Sequence, residues 1–232
     1  MKRLLTVFTL SLLAGCASTP TVPENNITPV LTHTGGQSLG NSTYLYWYTS
    51  QQNRPVKLAD TVLVGDDGYY QSNYRWRDGQ LREIRRHGEQ RDELQLKPFS
   101  LNVRYDIQGS AVFQRYTLGG DVIPLSNTQM RQLQQDAQDG VEVVKQQRND
   151  DISLVQGYWE QGRFYRCGDN RPLSVTFSPA LSVHQAQQLQ SLQQQAFMVV
   201  TGKAHRNTLD AKALLMLKRQ QATCLVVPDL PE

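Results

Sequence analysis

Four histidines, His33, His87, His184 and His205, are the side chains best suited to proton transfer or metal binding near neutral pH. No two of them stand at i, i+4, so no helix carries a paired metal site, and each reads as a polar surface residue. No S-x-x-K signature occurs, and no nucleophile elbow between a strand and a helix is expected. A Ser-His-Asp triad converges only in space and leaves no trace of its own in the order of residues. The acidic pairs Asp66-Asp67, Asp92-Glu93 and Asp150-Asp151 fall in loop-like segments, where solvation is the default, and no loop has the ligand order of a calcium site. Leu118-Gly119-Gly120-Asp121 reads as a turn and not as a phosphate cradle. No catalytic residue, metal or cofactor is therefore assigned.

The clearest chemistry sits on Cys16. Lys2 and Arg3 precede a weakly polar to apolar run, Leu4 to Ala14. That run is too short for a bilayer, which needs about 20 residues, and has the form of a secretory signal. Leu13-Ala14-Gly15-Cys16 resembles the lipobox of bacterial lipoproteins. The resemblance implies cleavage after Gly15, thioether lipidation of Cys16 and acylation of its new amino group. One acyl chain binds membranes only marginally, whereas two or three on one residue make release negligible. Ala17 and Ser18 replace the aspartate that retains such proteins at the inner membrane, so the resemblance places this one on the periplasmic face of the outer membrane, with the membrane as partner through lipid.

Export makes the other two cysteines legible. Cys167 and Cys224 form an even pair in an oxidising compartment and read as one disulfide. Across 57 residues the chain-entropy relation gives about 4 kcal/mol of stabilisation. Without Lys2 and Arg3 the basic count falls from 24 to 22 against 21 acids. A net charge near +1 gives no support to nucleic acid as a partner.

Two stretches could form binding surfaces. Arg75, Arg77, Arg82, Arg85, Arg86 and Arg91 are interleaved with Tyr74 and Trp76, a pattern suited to anionic lipid or glycan. Asp78, Glu83, Glu89, Asp92 and Glu93 lie beside them, so cross-strand pairing on a wet sheet face is preferred. Tyr44-Leu45-Tyr46-Trp47-Tyr48 suits either a ligand groove or a core strand, and core is preferred.

The elements that would position these residues define an α+β chain, mainly β. Residues 1–15 are the signal peptide, and 16–42, rich in Thr, Pro, Asn and Gly, read as the lipidated cysteine and a flexible tether. Residues 43–149 read as an antiparallel meander of six to eight strands closed by a helix. Turns are expected at Asp67-Gly68, Asp78-Gly79, His87-Gly88, Gln108-Gly109 and Gly119-Gly120. The connecting helix starts at the capping box Ser126/Gln129 and carries Met130, Leu133, Ala137, Val141 and Val144 on one stripe, with Gly140 as a weak point. Residues 150–232 read as a small disulfide-tied β-rich domain of order β-β-β-α-β-β. Its helix is capped by Ser182/Gln185, and its last strand-like run, Leu214–Val227, reads as divided and holds Cys224.

Taken whole, with its lipobox, β-rich first half and the segment Phe164-Tyr165-Arg166-Cys167-Gly168 with late partner Cys224, the chain resembles the YjaH-type lipoproteins of enteric and related bacteria. That is a family of unknown function, which implies no activity or site residues. Tyr165-Arg166-Cys167 followed by Leu173-Ser174-Val175-Thr176-Phe177 is similar to the cysteine-bearing strand pair of membrane-bound lysozyme inhibitors. The expected function is a non-catalytic binding or structural module with an envelope protein or cell-wall partner. The alternatives are an inhibitor of a wall-degrading enzyme, an envelope glycan or lipid hydrolase, and an apolar-ligand carrier.

Overall fold

A computed structural model describes residues 29–160, 162–192, 196–219 and 223–230. The signal and lipidation assignments, including Cys16, lie outside the described residues. Eight strands follow one another as an antiparallel meander: β1 (Val30–Leu39), β2 (Ser42–Gln51), β3 (Arg54–Val64), β4 (Gly68–Arg77), β5 (Gln80–Asp92), β6 (Gln95–Tyr105), β7 (Ala111–Leu118) and β8 (Asp121–Ile123). Helix α1 (Asn127–Asn149) lies across one face of this sheet. A closed barrel follows, built from β9 (Ser153–Glu160), β10 (Arg163–Arg166), β11 (Pro172–Phe177), β12 (Ala196–Ala204) and β13 (Thr208–Arg219). Helix α2 (Val183–Ser191) joins β11 to β12. The fold is α+β and mainly β, as the alternation of short runs indicates.

Period-two alternation explains how one sheet serves two cores. On β2, Tyr46 and Tyr48 face α1 and meet its buried stripe, Leu133, Ala137, Val141 and Val144, together with Leu58, Tyr74, Ile84 and Val103. Leu45 and Trp47 point the other way, and with Ala59 they pack on Phe197, Val199, Leu215 and Met216 of the barrel. The aromatic run is thus core on both faces. A third cluster, including Val155, Phe164, Leu173, Met198 and Leu209, fills the barrel.

Both capping boxes form: Ser126 and Ser182 each accept from the backbone N–H three residues on, and Gln129 and Gln185 reach back. Asp78-Gly79 turns with φ of 54° and 78°, the left-handed pair a tight hairpin requires. Gly140 has a different role from the expected weak point. A Cβ there would lie 2.7 Å from Leu58 Cδ2 and 2.9 Å from Tyr46 Cε1, so its absence lets α1 sit close on the sheet.

Three expectations are corrected. Residues 30–39, assigned to a tether, form β1, paired with β2 along its whole length. The Gly-rich composition misleads because Gly35 and Gly36 are squeezed between layers. A Cβ on Gly35 would meet Gln147 Oε1 at 2.5 Å, and one on Gly36 would meet Leu215 Cδ1 at 2.7 Å. Gln147 of α1 then uses its amide on both polar groups of Gly36, at 3.0 and 2.7 Å. His87-Gly88 is no turn but the middle of β5. There a Cβ would stand 2.1 Å from the Tyr69 carbonyl oxygen, so the glycine marks a close strand crossing. The last strand ends at Arg219, and Cys224 lies beyond it in an irregular tail. That tail runs back over the meander: Asn73 Nδ2 donates to Pro228 O at 2.9 Å, Leu230 N donates to Asn73 Oδ1 at 3.1 Å, and Leu230 is buried.

Candidate functional site

A polar row crosses the helix-facing side of the sheet where apolar residues would be expected. Register places Asp60 opposite Ser72 and Ser72 opposite Arg86 on β3, β4 and β5. Arg86 Nε donates to Ser72 Oγ at 2.9 Å. Its Nη2 donates to the Tyr74 hydroxyl at 2.8 Å and to Asp136 Oδ2 of α1 at 2.9 Å. Tyr74 in turn donates to Asp60 Oδ2 at 3.0 Å. Burial pushes the Asp60 carboxyl above the usual carboxylate range, with Arg86 pulling against it. Burial also opposes the charge on Arg86, but Tyr74, Tyr70, Asp60 and Asp136 outweigh it and hold the guanidinium firmly protonated. Its face lies 4.2 Å from the centroid of the Tyr70 ring.

Of this network, Arg86 and Asp136 line a cleft of about 420 Å³ between the sheet and the N-terminal half of α1. Its floor is aromatic and apolar: Tyr70, Phe99, Leu101 and Tyr116. Phe99 meets Tyr70 and Tyr116 edge-on, at centroid separations of 6.4 and 6.3 Å. Leu133 and Gln132 of α1 form the roof, with Leu125 just before the helix. Burial lifts the Tyr70 hydroxyl far above its ordinary pKa, and that of Tyr116 to a lesser degree, so both rings stay neutral. Gln90 donates to the Tyr116 hydroxyl at 2.8 Å. Asp136 Oδ1 accepts from Gln132, and Asp67 is bound by Arg91 at 2.7 Å, which leaves Glu89 exposed at the mouth. The size and the balance of apolar floor to polar rim match sites for small ligands. Among the described residues no histidine, cysteine or serine lines the cleft; its ionisable groups are Asp67, Glu89, Asp136, Arg86, Arg91 and the two tyrosines.

The cysteines and histidines are placed elsewhere. Cys167, just past β10, is joined to Cys224 with a Cα–Cα distance of 6.1 Å. His33 lies in β1 beside Arg148, with a nitrogen–nitrogen distance of 3.3 Å. Burial, then Arg148, hold its imidazole below the ordinary value, so it is neutral near pH 7. His87 is in β5, His184 in the first turn of α2, and His205 in the β12–β13 connection. One motif escaped the sequence reading. Gly36-Gln37-Ser38-Leu39-Gly40 fits G-x-S-x-G, yet Ser38 sits in β1 opposite Thr43, its hydroxyl 3.4 Å from Thr43 Oγ1, with no strand-to-helix elbow. Among the described residues no three His, Cys, Asp or Glu gather as metal ligands, and no helix is long and apolar enough to cross a membrane.

The arginine-rich hairpin divides between two faces. Arg75, Arg85 and Arg104 converge on Glu83 of the outer face, and Arg91 pairs with Asp67, which is the expected charge pairing. Arg86 instead reaches under α1 to Asp136. Sequence reasoning named Arg86 only as one charge of a wet sheet face and did not single out Asp60. The available signal was Asp60 standing alone in the apolar run Leu58–Leu63, a place an acid occupies only with a buried partner.

An antiparallel meander roofed by one helix, tied through a shared core to a small barrel and bearing a ligand-sized cleft, defines a two-lobed protein that is mainly β. The family model described as "Protein of unknown function (DUF1481)" matches residues 34–229, and the chain belongs to that family. The match begins inside β1 and ends in the C-terminal tail, so both belong to the domain. No curated protein and no solved structure matches the chain.

Proposed function

We propose that this protein is a lipid-anchored envelope component of the YjaH type, held at the periplasmic face of the outer membrane through Cys16, that binds a small amphipathic molecule without transforming it. The cleft beneath α1 carries this reading, since an aromatic floor with a polar rim suits a ligand with an apolar body and a hydrogen-bonding end. The lipobox-like Leu13-Ala14-Gly15-Cys16 supports the anchor, and the Cys167–Cys224 bridge accords with an oxidising compartment.

The binding test uses the full chain carrying Cys16→Ser, which removes the acyl acceptor, and the neutral probe N-phenyl-1-naphthylamine. Saturable one-site fluorescence enhancement is expected, and Leu133→Trp, which fills the cleft from its roof, should weaken it by about tenfold, equivalent to ~1.4 kcal/mol. Absent saturation, or a Leu133→Trp protein that folds and binds as before, removes the cleft from consideration. Intact-mass measurement of the wild-type chain tests the anchor separately: residues 1–15 should be missing and Cys16 acylated.

A further inference from the structure

The barrel has a connectivity that the meander does not share. Its strands close in the order β9–β10–β11–β13–β12, with β12 pairing back to β9. Helix α2 lies between the third and fourth strands, and the third and fifth, β11 and β13, are the parallel pair. This is the connectivity of the OB barrel, a five-stranded Greek-key fold whose second and third strands offer an outer face to oligosaccharides and oligonucleotides. Topology supplies a place to look, and the residues must supply the chemistry.

Alternation sorts the side chains. Phe164 and Leu173 pair in register and fill the barrel, so Tyr165 and its partners Tyr158 and Pro172 face outward. Tyr158 and Tyr165, on adjacent strands, line an open cleft of about 520 Å³ together with Glu160 and Asn170. Tyr158 is held on its far side. Its ring packs on Phe197 at 5.7 Å, and its hydroxyl lies 3.7 Å from Cys224 Sγ, so the disulfide backs the cleft wall. Further along the same outward face, Ser174 and Thr176 of β11 stand exposed. Two aromatic faces, a carboxylate, an amide and a row of hydroxyls are suited to the C–H faces and hydroxyls of a sugar chain. A phosphate backbone is a poorer match: Arg166 and Arg171 are both paired with Asp169, and Glu160 stands in the cleft itself.

We propose that this outer flank of the barrel, centred on Tyr158 and Tyr165, is a binding site for a neutral oligosaccharide, independent of the cleft beneath α1. Titration calorimetry on the full chain with Cys16→Ser tests it, using tetra-N-acetylchitotetraose, maltotetraose and the oligonucleotide dT12. At least one sugar binds saturably, and the two sugars distinguish an N-acetylated amino-sugar source from a plain hexose one. Tyr165→Ala weakens that sugar on the order of tenfold, while Leu133→Trp leaves it unchanged. Should Tyr165→Ala fail to fold, Asn170→Gly, on an exposed left-handed turn residue, serves in its place with a loss of affinity expected. Binding of neither sugar, sugar binding indifferent to both flank variants, or tighter binding of dT12 overturns the proposal.

Discussion

Replacing Arg86 by Met keeps most of the side-chain length and removes the charge. Three hydrogen bonds disappear with it, to Ser72, Tyr74 and Asp136, along with the cation over the Tyr70 ring. Asp60, 3% exposed, is then left without its cation. Removing one member of a buried pair costs about 3–5 kcal/mol, against a total stability of about 5–15 kcal/mol for a domain. The loss should carry a distinctive pH dependence. Asp60 has a raised folded-state pKa, so the native protein binds its proton more tightly than the unfolded chain does. Stability therefore falls as pH rises from the unfolded value, near 3.8, through the folded one, and above that the cost is complete. Arg86 limits this cost by drawing the carboxyl back down. Without it the Asp60 pKa climbs further, so the deficit of Arg86→Met is smallest near pH 4 and grows toward neutrality. Urea unfolding between pH 4 and 8 measures this directly, and the Arg86→Met/Asp60→Asn double variant should recover about 1–3 kcal/mol of the single variant's loss at pH 7. A single-variant loss under about 1 kcal/mol, or one that ignores both pH and Asp60, would refute the reasoning.

Other expectations follow from closer packing details. Gly140→Val gains helix propensity yet should lower stability by about 1–3 kcal/mol, because the added carbons enter the Leu58–Tyr46 contact; thermal melting reads the sign. Cys167→Ser/Cys224→Ser should cost about 4 kcal/mol, and the wild type in reductant should approach it in denaturant midpoint. Asn73→Ala should cost about 1–3 kcal/mol, since it frees the Pro228 carbonyl and the Leu230 amide together; limited proteolysis should then clip the tail first.

Much of the architecture could be read directly from local pattern. The capping boxes at Ser126 and Ser182, the Leu133–Val144 stripe and the Asp78-Gly79 turn are signals complete within a few residues. What escaped depends on distant neighbours. Gly35-Gly36 and Gly88 look like loop residues until the layer or strand that crowds them is known. Arg86 looks like one more charge of a wet hairpin, because the residues that shelter it stand on β3, β4 and α1. The order β-β-β-α-β-β was legible, but the parallel β11–β13 pairing that closes the barrel spans the whole of α2 and β12. The cleft was beyond reach for the same reason: it draws on five strands and a helix spread from Val64 to Asp136.

Strand β2 is a party wall. Every second side chain supports one room and the rest support the other, so Trp47 belongs to the barrel as much as to the sheet it is threaded through. Cutting the chain between the two lobes would strip an oily surface bare on each piece and leave neither with a finished interior. The lobes should accordingly melt in one step, and a partner that grips either of them will be felt by both.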